Sequence, residues 1–98
     1  MVTSFRARVV REVKRLSPAT ATGWLFKRPL LVLPRWARPP HLDYLCPHHS
    51  VLTRRLARVA RERGLGLVAW TVNTPAAMQR MKDLGVDVVI TDFPDRYA

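Results

Sequence analysis

The sequence has a single cysteine, few acidic residues and no long apolar run. Cys46 alone cannot form an intramolecular disulfide bond. The longest aliphatic stretch, Leu30 to Leu33, is far shorter than the roughly 20 residues of a membrane-spanning helix. A charged helical pattern begins directly after Phe5, so we expect no secretory signal segment. With 98 residues, the chain is expected to form one soluble cytoplasmic domain at most.

Basic residues outnumber acidic residues strongly. The chain has 17 Lys and Arg against 7 Asp and Glu, which gives a formal net charge of +10. Such an excess is typical either of a solvated surface or of a protein with a polyanionic partner. No aromatic stripe lies among the basic residues, and no helix-turn-helix or zinc-finger spacing is present. We therefore expect no nucleic-acid partner, and a small basic nucleic-acid-binding protein is only the third alternative.

The first half of the chain predicts a strand, a helix and a second strand. Residues 1–5 suit a strand end, and a helix follows with Ser4 as its N-cap and Pro18 as its end. Its apolar face is predicted to consist of Phe5, Val9, Val13 and Leu16, with Val10 beside them. Thr22 to Phe26 is the second strand. Five of the eight prolines follow within nineteen residues, which predicts a long irregular connection with at most one brief strand, Leu42 to Cys46.

The second half predicts two more helix–strand units. A helix begins at Ser50 or Thr53, buries a stripe of aliphatic residues and ends at Gly64. The apolar run Leu67 to Val72 is typical of a buried parallel strand. Thr74 and Pro75 begin a third helix with an inner face of Met78, Met81 and Leu84. Gly85 ends that helix, and Val86 to Thr91 is the last strand before Pro94.

Alternation of strands and helices predicts an α/β protein with parallel strands and right-handed crossovers. Four main strands fit either a small α/β sheet or half of an eight-stranded barrel. In both architectures the chemistry gathers at the C-terminal ends of the strands. The residues at those ends are Ser4, Phe5, Phe26, Lys27, Thr71, Val72, Asn73, Thr91 and Asp92.

Two segments carry a specific pattern. One is Gly64-Leu65 with a strand ending Trp70-Thr71-Val72-Asn73, and the other runs from Leu84-Gly85-Val86-Asp87 to Ile90-Thr91-Asp92-Phe93-Pro94. Together they resemble the seventh and eighth strands of the glycerophosphodiester phosphodiesterase family. Ser4-Phe5 is similar to the Ser-Phe that ends the family's fifth strand, and Gly23 to Leu25 is similar to its sixth. The resemblance spans nearly the whole chain.

The resemblance implies the C-terminal half, strands five to eight, of a TIM (β/α)8 barrel of about 250 residues. Residues 1–98 are then a partial domain that lacks the N-terminal half of the barrel. The family's His-Arg-Gly, Glu-x-Asp, second histidine and later metal-binding glutamate find no counterpart here, since Glu12 and Glu62 lie on predicted helix surfaces. The resemblance therefore implies a phosphoric diester hydrolase whose catalytic and metal-binding residues lie outside this chain.

The family reaction is hydrolysis of a glycerophosphodiester to an alcohol and glycerol 3-phosphate in lipid metabolism. A divalent cation, calcium or magnesium, would stabilise charge on the phosphate. The resemblance implies that this chain supplies part of the wall of the substrate pocket and part of the scaffold of the barrel. The isolated chain is expected to be inactive, and a non-catalytic fragment or self-associating remnant is the alternative.

Four residues are the candidate substrate contacts: Trp70, Asn73, Ser4 and Phe5. The indole of Trp70 would offer apolar area and one N–H donor to a polyol, unless it is a plain core residue. Asn73 would donate to a phosphate or hydroxyl oxygen, unless it only forms the turn before Thr74. Phe5 also fits the buried stripe of the first helix. Asp92 is expected to hold a turn.

A run of metal-ligand residue types lies in the proline-rich connection, at His41, Asp43, Cys46, His48 and His49. Cysteine and histidine can bind zinc, but this order matches no standard zinc spacing. We expect an ordinary loop with a buried Cys46 and solvated histidines. Half a barrel would leave two strand edges exposed. Because exposed edges favour pairing with another chain, we expect possible self-association through them.

Overall fold

The computed structural model describes residues 1–30 and 32–93 and shows one parallel sheet of five strands in chain order. The strands are β1 (Val2–Ser4), β2 (Thr22–Phe26), β3 (Tyr44–Pro47), β4 (Gly66–Ala69) and β5 (Val88–Val89). The helices are α1 (Ala7–Leu16), α2 (Arg54–Arg63) and α3 (Pro75–Asp83), and a short 3₁₀ turn covers His49–Val51. Parallel strands that neighbour each other in chain order, with intervening helices, form the wall of a β/α barrel.

Strand β3 changes the strand count. The sequence predicted four main strands, with at most a brief strand at Leu42 to Cys46, and this count is wrong. Tyr44–Pro47 occupies the centre of the sheet and pairs with both β2 and β4. Prolines surround this short segment, so its periodicity is weak. Its strand conformation comes from the two neighbours, which supply backbone partners on either side.

The core lies between the sheet and its helices. Side chains of alternate strand residues, among them Phe26, Leu45, Leu67 and Ala69, pack into one apolar cluster with helix residues such as Val10, Leu56, Ala60 and Met81. Leu45 and Met81 are completely buried. The opposite face of the sheet carries Thr3, Gly23, Cys46 and Val68; a Cβ on Gly23 would come within 2.6 Å of the Cys46 sulfur and 3.1 Å of a Thr3 methyl. Close packing on that face therefore requires glycine at position 23.

Helix α1 is oriented differently from the prediction. Val10 is its fully buried residue, whereas Phe5 is 58% exposed, Val9 39% and Leu16 69%. The helix begins at Ala7 with Arg6 as N-cap, and the Ser4 hydroxyl accepts a hydrogen bond from the Arg6 amide at 3.1 Å instead of capping the helix. The predicted Ser4 cap was therefore wrong, and of the predicted apolar residues Val10 is buried while Phe5, Val9 and Leu16 are exposed. Since α1 lies beside the outermost strand, β1, part of its apolar surface has no neighbour within the described residues.

The ends of α2 and α3 confirm the predictions for those helices. Thr53 and Thr74 are the N-caps, and their hydroxyls accept the amides of Leu56 and Ala77, each at 3.1 Å. Gly64 ends α2 in the left-handed conformation, with φ of 78°, where glycine has no Cβ penalty. The predicted inner face of α3 is also buried.

Carboxylates tie the N-terminal ends of the strands together. Asp43 precedes β3 and accepts the Thr22 amide of β2 at 2.8 Å and the Lys14 ammonium at 2.7 Å. Asp87 precedes β5 and accepts the Leu67 amide of β4 at 2.8 Å. Burial opposes ionisation of Asp43, but the hydrogen bonds from Lys14 and Thr22 outweigh it and lower the pKa of that carboxyl. Each aspartate therefore joins its own strand to the preceding neighbour.

Both outer strands leave apolar side chains exposed. Met1 is 61% exposed beside β1, while Val88 and Ile90 are each 48% exposed at β5. In a closed barrel these positions would be covered by further strands. Within residues 1–30 and 32–93, no helix is long and apolar enough to cross a bilayer. Pro94, predicted to close the last segment, lies outside the described residues.

Candidate functional site

Three aromatic rings meet at the C-terminal ends of the strands. Trp70 follows β4, and its backbone forms a parallel bridge with His48, which follows β3. The Trp70 ring contacts the Phe5 ring with centroids 5.7 Å apart and the His48 ring at 4.8 Å, both edge-on at nearly right angles. We call Phe5, His48 and Trp70 the aromatic row. It crosses the inner side of the sheet at the end where β/α barrels carry their sites.

The indole N–H of Trp70 is used inside the protein. Nε1 donates to the backbone carbonyl of Cys46 at 2.7 Å. The predicted donation from this N–H to a polyol is therefore not available in this conformation. The hydrogen bond fixes the ring against β3, so the surface that the ring leaves free is apolar. Its half-buried position is consistent with a wall residue.

His48 lies beside Trp70, whereas the sequence analysis considered it only as a possible zinc ligand. Its Nδ1 accepts the Ser50 amide at 3.3 Å and lies 2.7 Å from the Ser50 hydroxyl, which places the proton of the neutral ring on Nε2. Burial, together with the neighbouring charges of His49 and Lys27, lowers the pKa of His48, so the ring is neutral near pH 7. The available signal was its place directly after β3, for which the sequence indicated at most one brief strand at Leu42 to Cys46.

Asn73 connects the ends of two strands. Its side-chain oxygen accepts the Thr91 hydroxyl at 3.2 Å and the Asp92 amide at 3.0 Å. Its side-chain nitrogen donates to the Asp92 carboxylate at 2.9 Å. The residue is therefore a clamp between the segments after β4 and β5 rather than a turn residue of α3 alone. Asp92 holds this turn, as expected.

Ser4 and Phe5 lie at the C-terminal end of β1. The Ser4 hydroxyl accepts the Arg6 amide, and the Phe5 carbonyl accepts the Trp24 indole N–H at 3.2 Å. The Phe5 ring is mostly exposed apart from its contact with Trp70. The structure thus brings Phe5 and Trp70 together, and it places Ser4 and Asn73 at the same end of the sheet with their polar atoms in internal hydrogen bonds.

The metal-ligand residue types of the proline-rich segment are separated by β3. Cys46 is buried within the strand, and burial raises the pKa of its thiol to about 11. His41 lies before β3, while His48 and His49 follow its other end. In the part of the chain that the structure describes, no three Asp, Glu, His or Cys side chains form a metal-binding group. These residues therefore do not fit a divalent cation.

Fold and site together define a segment of a β/α-barrel protein with an aromatic wall at the C-terminal ends of its strands. The model of the glycerophosphoryl diester phosphodiesterase family matches residues 1–96. The chain belongs to this family, as the sequence motifs indicated. A glycerophosphodiester phosphodiesterase of Caldanaerobacter subterraneus is 30% identical over 95 residues, which are 97% of this chain and 39% of that protein.

Solved structures show the same fold. A glycerophosphodiester phosphodiesterase of Parabacteroides distasonis superposes with a TM-score of 0.81 at 27% identity, over 96% of this chain and 39% of that one. An Oleispira antarctica phosphodiesterase in complex with the product sn-glycerol-3-phosphate gives a TM-score of 0.83 at 20% identity, over 96% and 38%. The chain spans 40% and 39% of the length of two curated relatives that it matches over nearly its whole length.

Proposed function

We propose that this chain contributes the C-terminal wall of the substrate pocket in a glycerophosphodiester phosphodiesterase. The single observation that supports this proposal is the aromatic row at the C-terminal ends of the strands. Trp70 and Phe5 would pack against the glycerol side of the substrate, because polyol carbon atoms favour contact with aromatic rings. The solved relative that holds glycerol 3-phosphate supports this substrate class.

Neighbouring residues would support the wall. The clamp of Asn73 holds the segment that follows Trp70, and Ser4 holds the turn that carries Phe5. Direct substrate contacts from Asn73 and Ser4 stay predictions. Asn73 has one further N–H on its amide nitrogen, since only one donation to Asp92 is made. A phosphate or hydroxyl oxygen is the partner we propose for that hydrogen.

The strand numbering follows from the sheet. If β5 is the eighth strand of the barrel, then five consecutive parallel strands make β1 the fourth. We therefore propose strands four to eight, one strand more than the sequence indicated. Three strands, with the catalytic residues, would come from outside this chain.

The reaction would be hydrolysis of a glycerophosphodiester to an alcohol and glycerol 3-phosphate. A divalent cation, calcium or magnesium, would supply charge stabilisation on the phosphate when bound. Since Asp92 is the one acidic residue at the strand C-terminal ends within residues 1–30 and 32–93, ligands for such a cation would come from outside the described residues. Neutral His48 beside Trp70 would donate a hydrogen bond from Nε2 to a substrate oxygen.

The test is to capture the native product from source cells with an antibody against residues 75–90. Its size is read by immunoblot, and release of glycerol 3-phosphate from glycerophosphocholine is measured with calcium, magnesium or EDTA. We expect a product of about 250 residues that is active with metal. The purified 98-residue chain should be inactive under the same conditions. A native product that releases no glycerol 3-phosphate with either metal contradicts the proposal.

The decisive variant is Trp70→Ala in that native product. Loss of the ring removes contacts with Phe5 and His48 and with substrate, and we expect kcat/KM to fall roughly 100-fold, which corresponds to about 2.7 kcal/mol. Trp36→Ala is the matched control, because Trp36 packs against Trp24 and the helix-side core and not against the rings of the aromatic row. An equal loss of kcat/KM in both variants would assign Trp70 a purely structural role.

A second candidate function is a non-catalytic remnant that pairs with a copy of itself. The exposed apolar residues at both outer strands favour it, notably Met1, Val88 and Ile90. Light scattering of the purified chain would distinguish the two candidates. A stable dimer of 98-residue chains as the native species favours the remnant, and a longer native product favours the enzyme. A cytoplasmic location stays a prediction, checked by cell fractionation in the same immunoblot.

A further inference from the structure

A basic cleft lies between α1 and the loop that follows β2, and its walls contain none of the three residues of the aromatic row. Its volume is about 420 Å³, and its walls are formed by Arg11, Arg35, Trp36, Arg38 and His41. A second depression of about 600 Å³ adjoins it and shares Arg11 and His41. No carboxylate lines the first cleft, although seven acidic residues are present in the chain. The cleft is therefore a concave surface with charge of one sign.

Basic residues from two elements line this surface. Arg8, Arg11 and Arg15 lie on α1, with Glu12 among them in the second depression, while Arg35, Arg38 and His41 come from the loop between β2 and β3. Within residues 1–30 and 32–93, the structure pairs Arg15 with Glu12 but shows no ion pair for Arg11, Arg35 or Arg38. Guanidinium groups without carboxylate partners are suited to phosphate, which they bind through paired N–H donors.

The loop between β2 and β3 is held in place by Arg63. Its guanidinium is half-buried and donates to the carbonyls of Leu33, Pro34 and Ala37 at 3.1, 2.6 and 3.0 Å. Burial and the charge of Arg38 lower the pKa of Arg63, which still stays protonated at neutral pH. The cleft wall is thus built by a specific side chain, so it is not a random accumulation of surface arginines.

Trp36 contributes an aromatic floor. Its ring packs against Trp24 with centroids 5.2 Å apart, and the Arg11 guanidinium lies over it at 5.7 Å. The contact restrains Arg11 beside the loop cations. Arg38 is restrained as well, because its Nε donates to the Arg35 carbonyl at 3.0 Å. Two of the three arginines are therefore positioned before any ligand arrives.

We propose that this cleft is a phosphate-binding site, separate from the site at the strand C-terminal ends. The ligand class is a compact phosphate group, carried either by a small phosphate ester or by the headgroup of an anionic phospholipid. The size favours a compact ligand over a nucleic-acid duplex, and Trp36 is the one aromatic residue in a cleft that offers no row for stacked bases. The proposal does not depend on the proposed enzymatic function.

The experiment uses the 98-residue chain and reads the indole N–H signals of its three tryptophans by NMR. Inorganic pyrophosphate is titrated at low salt, and the Trp36 signal is expected to shift while the Trp70 signal does not. Co-sedimentation with phosphatidylglycerol–phosphatidylcholine vesicles, and with phosphatidylcholine alone, tests the lipid source. A short DNA duplex tests nucleic acid.

The variant pair is Arg11→Gln with Arg35→Gln, which removes one cation from each wall. The matched control is Arg55→Gln with Arg58→Gln, an equal change in net charge on the exposed surface of α2. We expect the first pair to weaken binding roughly 30-fold and the control less than threefold. Lysine in place of the same two cleft arginines keeps the charge, so this variant should retain part of the binding. Circular dichroism checks the fold of every variant.

Each outcome is informative. Pyrophosphate binding lost in the cleft pair alone supports the site for small phosphate esters, and vesicle binding with the same dependence supports the lipid source. Equal losses in both pairs would show a general charge effect and overturn the proposal. Absence of binding to both phosphate probes would also overturn it. The proposal would also be overturned if the DNA duplex bound more tightly than either phosphate probe and this binding were lost in the cleft pair.

Discussion

The two ends of the sheet use different chemistry. At the N-terminal ends, the carboxylates of Asp43 and Asp87 accept backbone amides from neighbouring strands. At the C-terminal ends, exposed and half-buried rings meet, with Phe5 and His48 on either side of Trp70. Groups at the first end are engaged within the protein, while the second end leaves aromatic surface for a ligand. In β/α barrels stability is usually associated with the first end and function with the second, which is the division we propose for this chain.

The largest effect on stability is expected from Asp43→Asn. The change weakens the bonds to the Thr22 amide and leaves the half-buried Lys14 ammonium without its ion partner. We expect the free energy of unfolding to fall by about 2 kcal/mol, measured by urea denaturation. Asp83→Asn, an equal charge change on the exposed face of α3, should alter it by less than about 0.5 kcal/mol. Similar losses of unfolding free energy in the two variants would show that Asp43 has no special role in stabilising the N-terminal ends of the strands.

The same aspartate predicts a pH dependence. The pKa of Asp43 is lower in the folded chain than its ordinary value, so folding favours the ionised form. Its contribution is therefore complete above about pH 5 and is lost as the pH falls through about 4 and below. Denaturation series from pH 3 to pH 7 should show a weaker acid dependence in Asp43→Asn than in the parent chain. Parallel curves for the two proteins would contradict this assignment.

Asn73→Ala tests the clamp at the opposite end. Three hydrogen bonds to Thr91 and Asp92 are lost, but they lie at a partly exposed position. We expect about 1 kcal/mol of lost stability, and faster amide hydrogen exchange in residues 88–92. Gln79→Ala removes one exposed amide contact with Asp83 and serves as the control. A change in exchange that extends evenly through the sheet would show that the clamp is not local.

The smallest effect on stability is expected from Phe5→Ala, the variant that best distinguishes the two ends of the sheet. Because the ring is 58% exposed, its removal should change the free energy of unfolding by less than about 0.5 kcal/mol. In the native enzyme we expect roughly a tenfold lower kcat/KM, since part of the proposed pocket wall is lost. Val9→Ala, an exposed apolar change on α1, should leave both quantities unaltered. A loss of more than about 2 kcal/mol in the free energy of unfolding for Phe5→Ala would assign this ring a structural role instead.

Sequence reasoning succeeded where the signal is local. The capping residues Thr53 and Thr74, the terminal Gly64 and the strand Thr22–Phe26 follow directly from short-range patterns. It failed where position in the sheet decides. The apolar stripe on α1 was expected to be buried, but the helix lies beside an edge strand, and of the predicted residues it fully buries Val10 alone. The segment around Cys46 was expected to be at most one brief strand within an irregular connection, whereas it is the central strand and pairs with both of its neighbours.

The sequence by itself determined the β/α alternation, the family and the place of Trp70 at a strand end, because periodicity, caps and motifs are written in neighbouring residues. Only the tertiary structure decided that His48 contacts Trp70, that Asn73 clamps Asp92 and that Arg63 organises the basic cleft. These contacts join residues 19 to 30 positions apart. Their partners are selected by strand register and loop path, which depend on packing of the whole sheet.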